Sequence, residues 1–511
     1  MDMPSEDFTI DGLKPLMFDP GVRCTEEEFH AYLAKFNKRH AIIRCSRLAL
    51  QSFLRSGDEP FDFFGVPIIE YNLEMLALNI IKHSSEETQN LLSSTQLCEV
   101  YLMMTYLLEI DMPNRKDNLE ILTPLAFRQF AMQERYVSPL ARSIHLYKDL
   151  WQKTPEVNSL DILTELEKAI GLPYELLLHY AYLFLANAKG NNGTIVQWDQ
   201  KVLSTVSHSY HLDLNQENQK WALDFFVGDL DQILNEKHLL NPFEKHPIVR
   251  IPASKTTGEN STFFLVSPSA MLRKVSYGMF HFLSDRFNLG GGRNEFRDKF
   301  GFVFEKYIGQ LLKLYISKWQ FYPEIVYADG KKSVDWFLVQ DNKAILIEVK
   351  TSSIFLEARQ TGSIEAIKAD LDRTIAKGAK QLLRFKQILE EKTQPEFETF
   401  YPISDIQCLL VVNDPIHSQN RIKELIRQNN PELSDFEYSI SNIYDFERLL
   451  EEQSKGDSIF EFLKTKNSNE EYRSFDLERF LFEFYKNPAK DCSFLKSIYD
   501  RFFDINSSEK E

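Results

Sequence analysis

The segment SVDWFLVQDNKAILIEVKTSS, residues 333–353, constrains the fold more than any other part of the chain. It is rich in β-branched and aromatic residues, which favour strands, and Asp341-Asn342 is a typical two-residue hairpin turn. Counting outward from this turn places Asp335 directly opposite Glu348. Opposed residues of an antiparallel pair lie on the same face. The sequence therefore predicts a hairpin with two facing carboxylates near one end.

Apart from these charges, both faces of the predicted hairpin are apolar, so we expect the hairpin to be buried on both sides. Carboxylates in such a place repel each other and are costly to desolvate, which requires a compensating positive charge. Lys350 lies two residues after Glu348 and hence on the same face. A divalent cation is the second candidate, because Mg²⁺ prefers carboxylate and phosphate oxygens.

The chain divides by pattern into four regions. Helical spacing of apolar residues dominates the first part, with one of the helices expected over residues 122–137. Strands alternate with helices after the glycine run Gly290–Gly292, which we interpret as a flexible linker, and this alternation predicts a sheet covered on both faces. The predicted regions are a helical region at 1–245, a β-containing connector with helix and linker at 246–292, an α/β domain at 293–445 and a helical extension at 446–511.

Charge limits the kinds of partner. The 511-residue chain has a formal net charge of −16, which excludes a protein that coats nucleic acid over its whole surface. Residues 293–392 nevertheless contain 18 Lys and Arg against 14 Asp and Glu. A weakly basic module in an acidic chain suits contact with phosphates at one place only.

The five cysteines are far apart and form no CxxC pair, so neither a disulfide framework nor a thiolate zinc site is expected. The acidic N-terminus does not resemble a secretory signal, and no apolar run has the roughly 20 residues that a membrane span needs. These features predict free thiols and a cytoplasmic protein without a membrane segment. His208 and His211 lie three residues apart, but without a third ligand nearby they are interpreted as structural.

The charged hairpin resembles the PD-(D/E)xK nuclease superfamily, whose signature is an acid on one strand followed by acid-x-Lys on the next. Here Asp335 is followed, after twelve residues, by Glu348-Val349-Lys350, and Val334 stands where the family often has proline. The resemblance covers about residues 296–445. It implies an α/β restriction-endonuclease-like domain with a central mixed sheet flanked by helices. Together with the apolar spacing before it, this predicts a mainly α-helical N-terminal region plus that domain.

The resemblance also implies a site. Asp335 and Glu348, with the Val349 carbonyl as a further ligand, would hold one or two Mg²⁺ or Mn²⁺ ions, and Lys350 with the metal would activate water for in-line attack on a phosphodiester. Many members add a Glu on the preceding helix, here Glu305, which lies in an apolar stripe.

Some branches of the family add a Gln or Lys on the helix after the hairpin. In this chain the sequence AKGAKQLLRF offers Lys380 and Gln381 for that position. On the preceding helix, the spacing predicts a solvent-facing side that includes Lys306 and Gln310.

The function implied is a metal-dependent endonuclease acting on DNA, of the kind found in prokaryotic restriction and antiviral defence. Two alternatives stay open: an inactive nuclease-fold scaffold that binds nucleic acid or protein, and a nuclease that cleaves RNA. The charges could also be a simple ion pair between Lys350 and an acid, without metal. No nucleotide-binding loop occurs, so any ATP hydrolysis would belong to a partner. Cutting both strands of a duplex commonly requires a homo-oligomer or a partner protein.

Overall fold

A computed structural model describes most of the chain, in the residue ranges 22–55, 61–110, 137–236, 241–253, 261–288, 294–328, 330–351, 364–400, 402–413, 419–456, 458–486, 488 and 491–503. The predicted Gly290–Gly292 linker and most of the predicted helix 122–137 lie outside the described residues. The described part is mostly helical, with small mixed sheets flanked by helices.

The described chain forms two compact units. The helical unit comprises residues 22–110 and 161–283, and the mixed-sheet unit comprises residues 137–160 and 284–503. This grouping differs from the predicted borders, because the helix Val137–Ile144 packs against the C-terminal helix Ser493–Phe503 and with it belongs to the mixed-sheet unit. The helices, in chain order, are α1 Glu26–Leu33, α2 Lys38–Arg55, α3 Glu70–His83, α4 Ser94–Ile110, α5 Val137–Ile144, α6 Ile162–Ile170, α7 Tyr174–Gly190, α8 Gln200–Tyr210, α9 Gln216–Phe226, α10 Leu230–Asn235, α11 Pro268–Val275, α12 Gly278–Arg286, α13 Glu295–Tyr315, α14 Ile364–Leu371, α15 Lys377–Glu391, α16 Gln419–Asn429, α17 Ile443–Ser454, α18 Ile459–Ser468, α19 Glu470–Arg473, α20 Leu477–Tyr485 and α21 Ser493–Phe503.

The strands of the helical unit are short. They form a two-stranded hairpin, β1 with β2, and a four-stranded sheet in the order β3-β6-β5-β4. The β-like stretch predicted around residues 248–268 is confirmed as the antiparallel pair β5 and β6. The strands are β1 Phe61–Phe63, β2 Val66–Ile68, β3 Thr194–Ile195, β4 Val227–Asp229, β5 Ile248–Ile251 and β6 Thr262–Leu265.

No single helix among the described residues is both long and apolar enough to cross a membrane. The bent pair α6 and α7 passes the criteria of length and composition only when its two helices are counted together. In the structure α7 buries Leu177, Tyr180 and Phe184 within the protein.

The mixed-sheet unit is built on a five-stranded sheet in the order β13-β12-β11-β10-β7. β10 and β11 form an antiparallel hairpin, β7 adds antiparallel to β10, and β12 and β13 continue on the other side in parallel. A two-stranded ribbon, β8 with β9, lies between β7 and β10 in the sequence. The strands are β7 Gln320–Pro323, β8 Val326–Tyr327, β9 Lys331–Lys332, β10 Trp336–Gln340, β11 Lys343–Lys350, β12 Asp405–Val412 and β13 Ser439–Asn442.

The predicted hairpin register is confirmed, since Gln340 pairs with Lys343 and Trp336 with Ile347. Its inner residues are buried on both faces, as expected for a hairpin that is apolar on both faces. The long helix predicted after the hairpin is also present, but a π-helical turn at Asp372–Ala376 separates α14 from α15. Strand β7 was not predicted from the sequence.

A buried polar trio connects three helices of the mixed-sheet unit. Arg142 of α5 donates two hydrogen bonds to Glu447 of α17, with N–O distances of 2.6 and 2.8 Å. The Tyr307 hydroxyl of α13 donates to the same carboxylate at 2.6 Å. The side chains of Arg142 and Glu447 are only 6% and 1% exposed. Water therefore cannot solvate either charge if its partner is removed.

Replacing Glu447 by Ala should destabilise the protein strongly, because buried Arg142 would lose its two hydrogen bonds to the Glu447 carboxylate. We expect the free energy of unfolding, measured by guanidinium titration, to fall by about 3–5 kcal/mol. Glu424→Ala is the matched control, since Glu424 forms an exposed ion pair with Arg421 on α16. That control should cost less than about 1 kcal/mol. Equal losses in the two variants would contradict the role assigned to the buried trio.

Candidate active site

Asp335 and the acid-x-Lys segment meet at one end of the hairpin. Asp335 immediately precedes β10, while Glu348 and Lys350 are near the end of β11. The Asp335 Oδ2 atom accepts a hydrogen bond from the Val349 backbone N–H at 2.7 Å. This bond fixes the first acid beside the strand that carries the second, as the predicted pairing requires.

Lys350 is held between two acceptors. Its ammonium donates to Glu348 Oε1 and, at 3.2 Å, to the side-chain oxygen of Gln381 on α15. Lys380 instead pairs with the exposed Glu432 at 2.8 Å. Of the two residues suggested on this helix, the structure therefore brings Gln381 to the site and directs Lys380 elsewhere.

The second oxygen of Glu348 is the most unusual atom of the site. Glu348 is 1% exposed, and its Oε2 atom has no hydrogen-bond partner among the described residues. A buried carboxylate oxygen without a donor is costly, because neither water nor protein replaces its lost solvation. An oxygen of this kind is available to a ligand.

Glu305 reaches the site because α13 packs closely on the hairpin. The Trp336 indole N–H donates to the Glu305 carbonyl at 3.2 Å. The indole ring lies against Gly309, where an added Cβ would be 2.2 Å from the ring. Only glycine allows this approach, which sets the height of Glu305 above the end of the hairpin.

All three predicted acids have raised pKa values. Burial, then the negative charges of Asp335, Glu324 and Glu348, raise the pKa of Glu305 to about 8. Burial raises the pKa of Glu348 to about 7, against the opposing effect of Lys350. The pKa of Asp335 is also raised by burial, although Lys350 and the Val349 N–H favour its charged form. The site thus brings carboxyl groups together in a poorly solvated place, where their charged forms are disfavoured.

One acid of this region was missed by the sequence analysis. Glu324 directly follows β7 and forms an ion pair with Lys332 of β9 at 2.8 Å. Its charge contributes to the raised pKa values of Glu305, Asp335 and Glu348. The residue was missed because strand β7, which places it here, has no clear alternation in sequence.

The donor types suit a hard divalent cation, but the positions of the described side chains do not form a metal site. Among the described residues, no three His, Cys, Asp or Glu side chains form a group that could hold a metal ion. The fit comes from the chemistry: the carboxylates of Asp335, Glu348 and Glu305 offer oxygens only, and one buried Glu348 oxygen is unpartnered. A role for the Val349 carbonyl as a ligand stays a prediction.

Comparisons with known proteins add no assignment. A scan of the chain against protein-family models found no match, and a search of curated proteins likewise found none. The interpretation of the site accordingly depends on the geometry and chemistry of its residues.

The raised pKa of Glu305 predicts a pH-dependent stability. In the unfolded chain a Glu has a pKa of about 4.3, so the folded state favours the protonated form, and this contribution is lost as the pH rises towards 8. In EDTA, the melting temperature of Glu305→Gln should therefore rise relative to that of the parent between about pH 4.5 and pH 8, and the difference should level off above about pH 8. Each kcal/mol by which the variant is stabilised relative to the parent should raise its melting temperature by about 2–4 °C. Parallel melting curves across this range would contradict the raised pKa.

Gly378 of α15 provides a test of the packing around Lys350. An added Cβ would lie 2.6 Å from Leu410 Cδ1 and 3.2 Å from Lys350 Cε. We expect Gly378→Ala to lower the free energy of unfolding by about 1–3 kcal/mol through overpacking. Gly301→Ala is the matched control in α13, where nothing lies within 4 Å, and it should stabilise the helix by about 0.5–1 kcal/mol. Guanidinium unfolding of both variants measures the difference, and a Gly378→Ala protein as stable as the parent would refute this packing.

Proposed function

We propose that the chain is a metal-dependent nuclease that hydrolyses phosphodiester bonds, with DNA as the favoured substrate. The observation that carries the proposal is the buried Oε2 atom of Glu348, which has no hydrogen-bond partner among the described residues and belongs to a group that also contains Asp335, Glu305 and Lys350. A structural ion pair alone would not require three carboxylates around one lysine. A cation bound among these acids would offset their mutual repulsion.

The order of elements supports a restriction-endonuclease-like fold for this unit. Helix α13 with its acid precedes a β-hairpin with facing acids, then α14 and α15, then the buried parallel strand β12. The resemblance to the PD-(D/E)xK superfamily depends on this order as much as on the motif. A role in prokaryotic restriction or antiviral defence is part of the same proposal.

Each residue has a role in this proposal. Asp335, Glu348 and Glu305 would hold Mg²⁺ or Mn²⁺. A bound ion of this type lowers the pKa of water and stabilises the charge that develops on a transferred phosphoryl group. Lys350 would orient the attacking water or neutralise the developing oxyanion. Gln381 also accepts a hydrogen bond from Lys350. The ammonium would therefore stay at the site when a metal ion displaces it from Glu348.

One observation favours the alternative function of an inactive scaffold. Lys350 is paired directly with Glu348, and such a pair would also satisfy a catalytically inactive scaffold that binds nucleic acid or protein. The two proposals differ in whether the site binds a divalent cation. That difference can be measured without following cleavage.

The decisive experiment compares the parent with Glu348→Gln and Lys350→Ala on plasmid, single-stranded DNA and RNA, each with Mg²⁺, Mn²⁺ or EDTA. We expect cleavage that depends on the metal and falls by about 100-fold or more in either variant, as for the loss of one transition-state donor. Lys380→Ala is the control on the same helix and should keep full activity, because Lys380 pairs with Glu432 away from the site.

Isothermal titration of Mn²⁺ into the same proteins provides the second measurement. The parent should bind Mn²⁺ and Glu348→Gln should bind it at least about tenfold more weakly, because one ligand has lost its charge. Circular dichroism checks that the parent and Glu348→Gln are both folded. Absence of both Mn²⁺ binding and cleavage in the parent would reject the nuclease and leave the scaffold. Preference among the three nucleic acids distinguishes DNA from RNA as substrate.

A further inference from the structure

The ribbon of β8 and β9 is anchored beside the proposed active site. At its base, the Ser333 backbone N–H donates to the Ile325 carbonyl at 2.9 Å, and the Ser333 hydroxyl accepts from the Ile325 N–H at 2.8 Å. Ser333 is two residues before Asp335, so the ribbon leads directly into the site.

A second anchor connects the ribbon to helix α15. One guanidinium nitrogen of Arg384 donates to the Tyr327 hydroxyl at 2.9 Å and to the Lys332 carbonyl at 3.1 Å. Arg384 lies three residues after Gln381, on the same side of α15. The ribbon is therefore held on the helix that also contacts Lys350, and its position relative to the acids is fixed from two sides.

The two faces of the ribbon differ. Tyr327 is 3% exposed and packs against Phe385 and Phe397, and it pairs across the ribbon with Lys331. On the other face Val326, which is 61% exposed, pairs with Lys332. One face thus fastens the ribbon to the core, while the other presents an apolar side chain and a cation to solvent.

Lys332 interacts electrostatically with the acids of the site. The pKa of Lys332 is raised by its hydrogen bond to Glu324, and Glu305 and Asp335 add to the effect. The Lys332 side chain is 62% exposed, and an ion pair so exposed is weak and easily exchanged. A phosphate carries at least as much charge as a carboxylate and can replace Glu324 as the partner.

We infer that the open face of the β8–β9 ribbon contacts the nucleic-acid backbone, and that Lys332 exchanges Glu324 for a phosphate of the bound strand. This inference rests on the function proposed above and specifies how that site would hold its substrate. A chain of net charge −16 repels phosphates over most of its surface, so a cation fixed beside the acids is needed to bring a strand to them.

If Lys332 exchanges partners in this way, replacing the two residues of the ion pair should change nucleic-acid binding in opposite directions. Lys332→Ala removes the cation and should weaken binding of nucleic acid. Glu324→Gln frees Lys332 from its competitor and should tighten binding. A merely structural pair would respond in the same direction to both changes. Lys331→Ala is the matched control, because Lys331 is the adjacent lysine on the opposite face of the same ribbon.

Fluorescence anisotropy with labelled duplex DNA, single-stranded DNA and RNA measures these affinities in the full chain. Each ribbon variant is made in a Glu348→Gln background, which prevents cleavage. At about 100 mM salt we expect Lys332→Ala to bind about 3- to 10-fold more weakly, with a salt slope smaller by about 0.7–0.9 for the loss of one phosphate contact. Glu324→Gln should bind more tightly by a similar factor, and Lys331→Ala should stay within about twofold of the background. Melting temperatures report whether each variant is folded.

The outcomes separate this inference from the proposed function. Cleavage by the parent together with equal weakening in Lys332→Ala and Glu324→Gln would overturn the exchange and leave the nuclease standing. Equal effects of Lys332→Ala and Lys331→Ala would also overturn it, since they would show only a general charge effect. A parent that neither binds nor cleaves any of the three nucleic acids would reject both proposals together.

Discussion

The cost of keeping a carboxylate out of water governs the arrangement of the mixed-sheet unit. Glu348 is 1% exposed on a strand whose neighbours are apolar, and no fold places an acid there without compensation. The compensation is local and incomplete: Lys350 neutralises one oxygen and Gln381 supports the lysine, while the second oxygen stays unpartnered. Helices on both faces of the sheet keep the site in this costly state, which is the usual relation between a functional site and its scaffold.

The hairpin could be predicted from the sequence because its information is local. A two-residue turn fixes the register, and strict alternation then fixes which side chains share a face. These two rules were sufficient to place Asp335 beside the acid-x-Lys segment. A helix after the hairpin was also expected, but the π-helical turn Asp372–Ala376 within it was not, because no residue in the segment marks it.

What could not be predicted depends on contacts between distant segments. Part of the side of α13 expected to face solvent is engaged: Gln310 is hydrogen-bonded to His145 at 2.8 Å, and Lys306 donates to the Lys153 carbonyl at 2.6 Å. Lys313, on the same side, is exposed as predicted. Polar residues that pack against another polar segment look like a solvated face in sequence. The position of Glu324 was hidden for a related reason, because it depends on a short edge strand that only pairing with β10 defines.

The buried Arg142–Glu447 pair has a consequence for how the chain folds as it is synthesised. The two residues are 305 positions apart, and residues 161–283, which form most of the other unit, lie between them. Translation proceeds from the N-terminus at roughly 5–20 residues per second, so α5 emerges long before its partner helix. The buried pair therefore forms only after α17 has been synthesised, so the mixed-sheet unit completes its core after the residues of the intervening segment 161–283 have emerged.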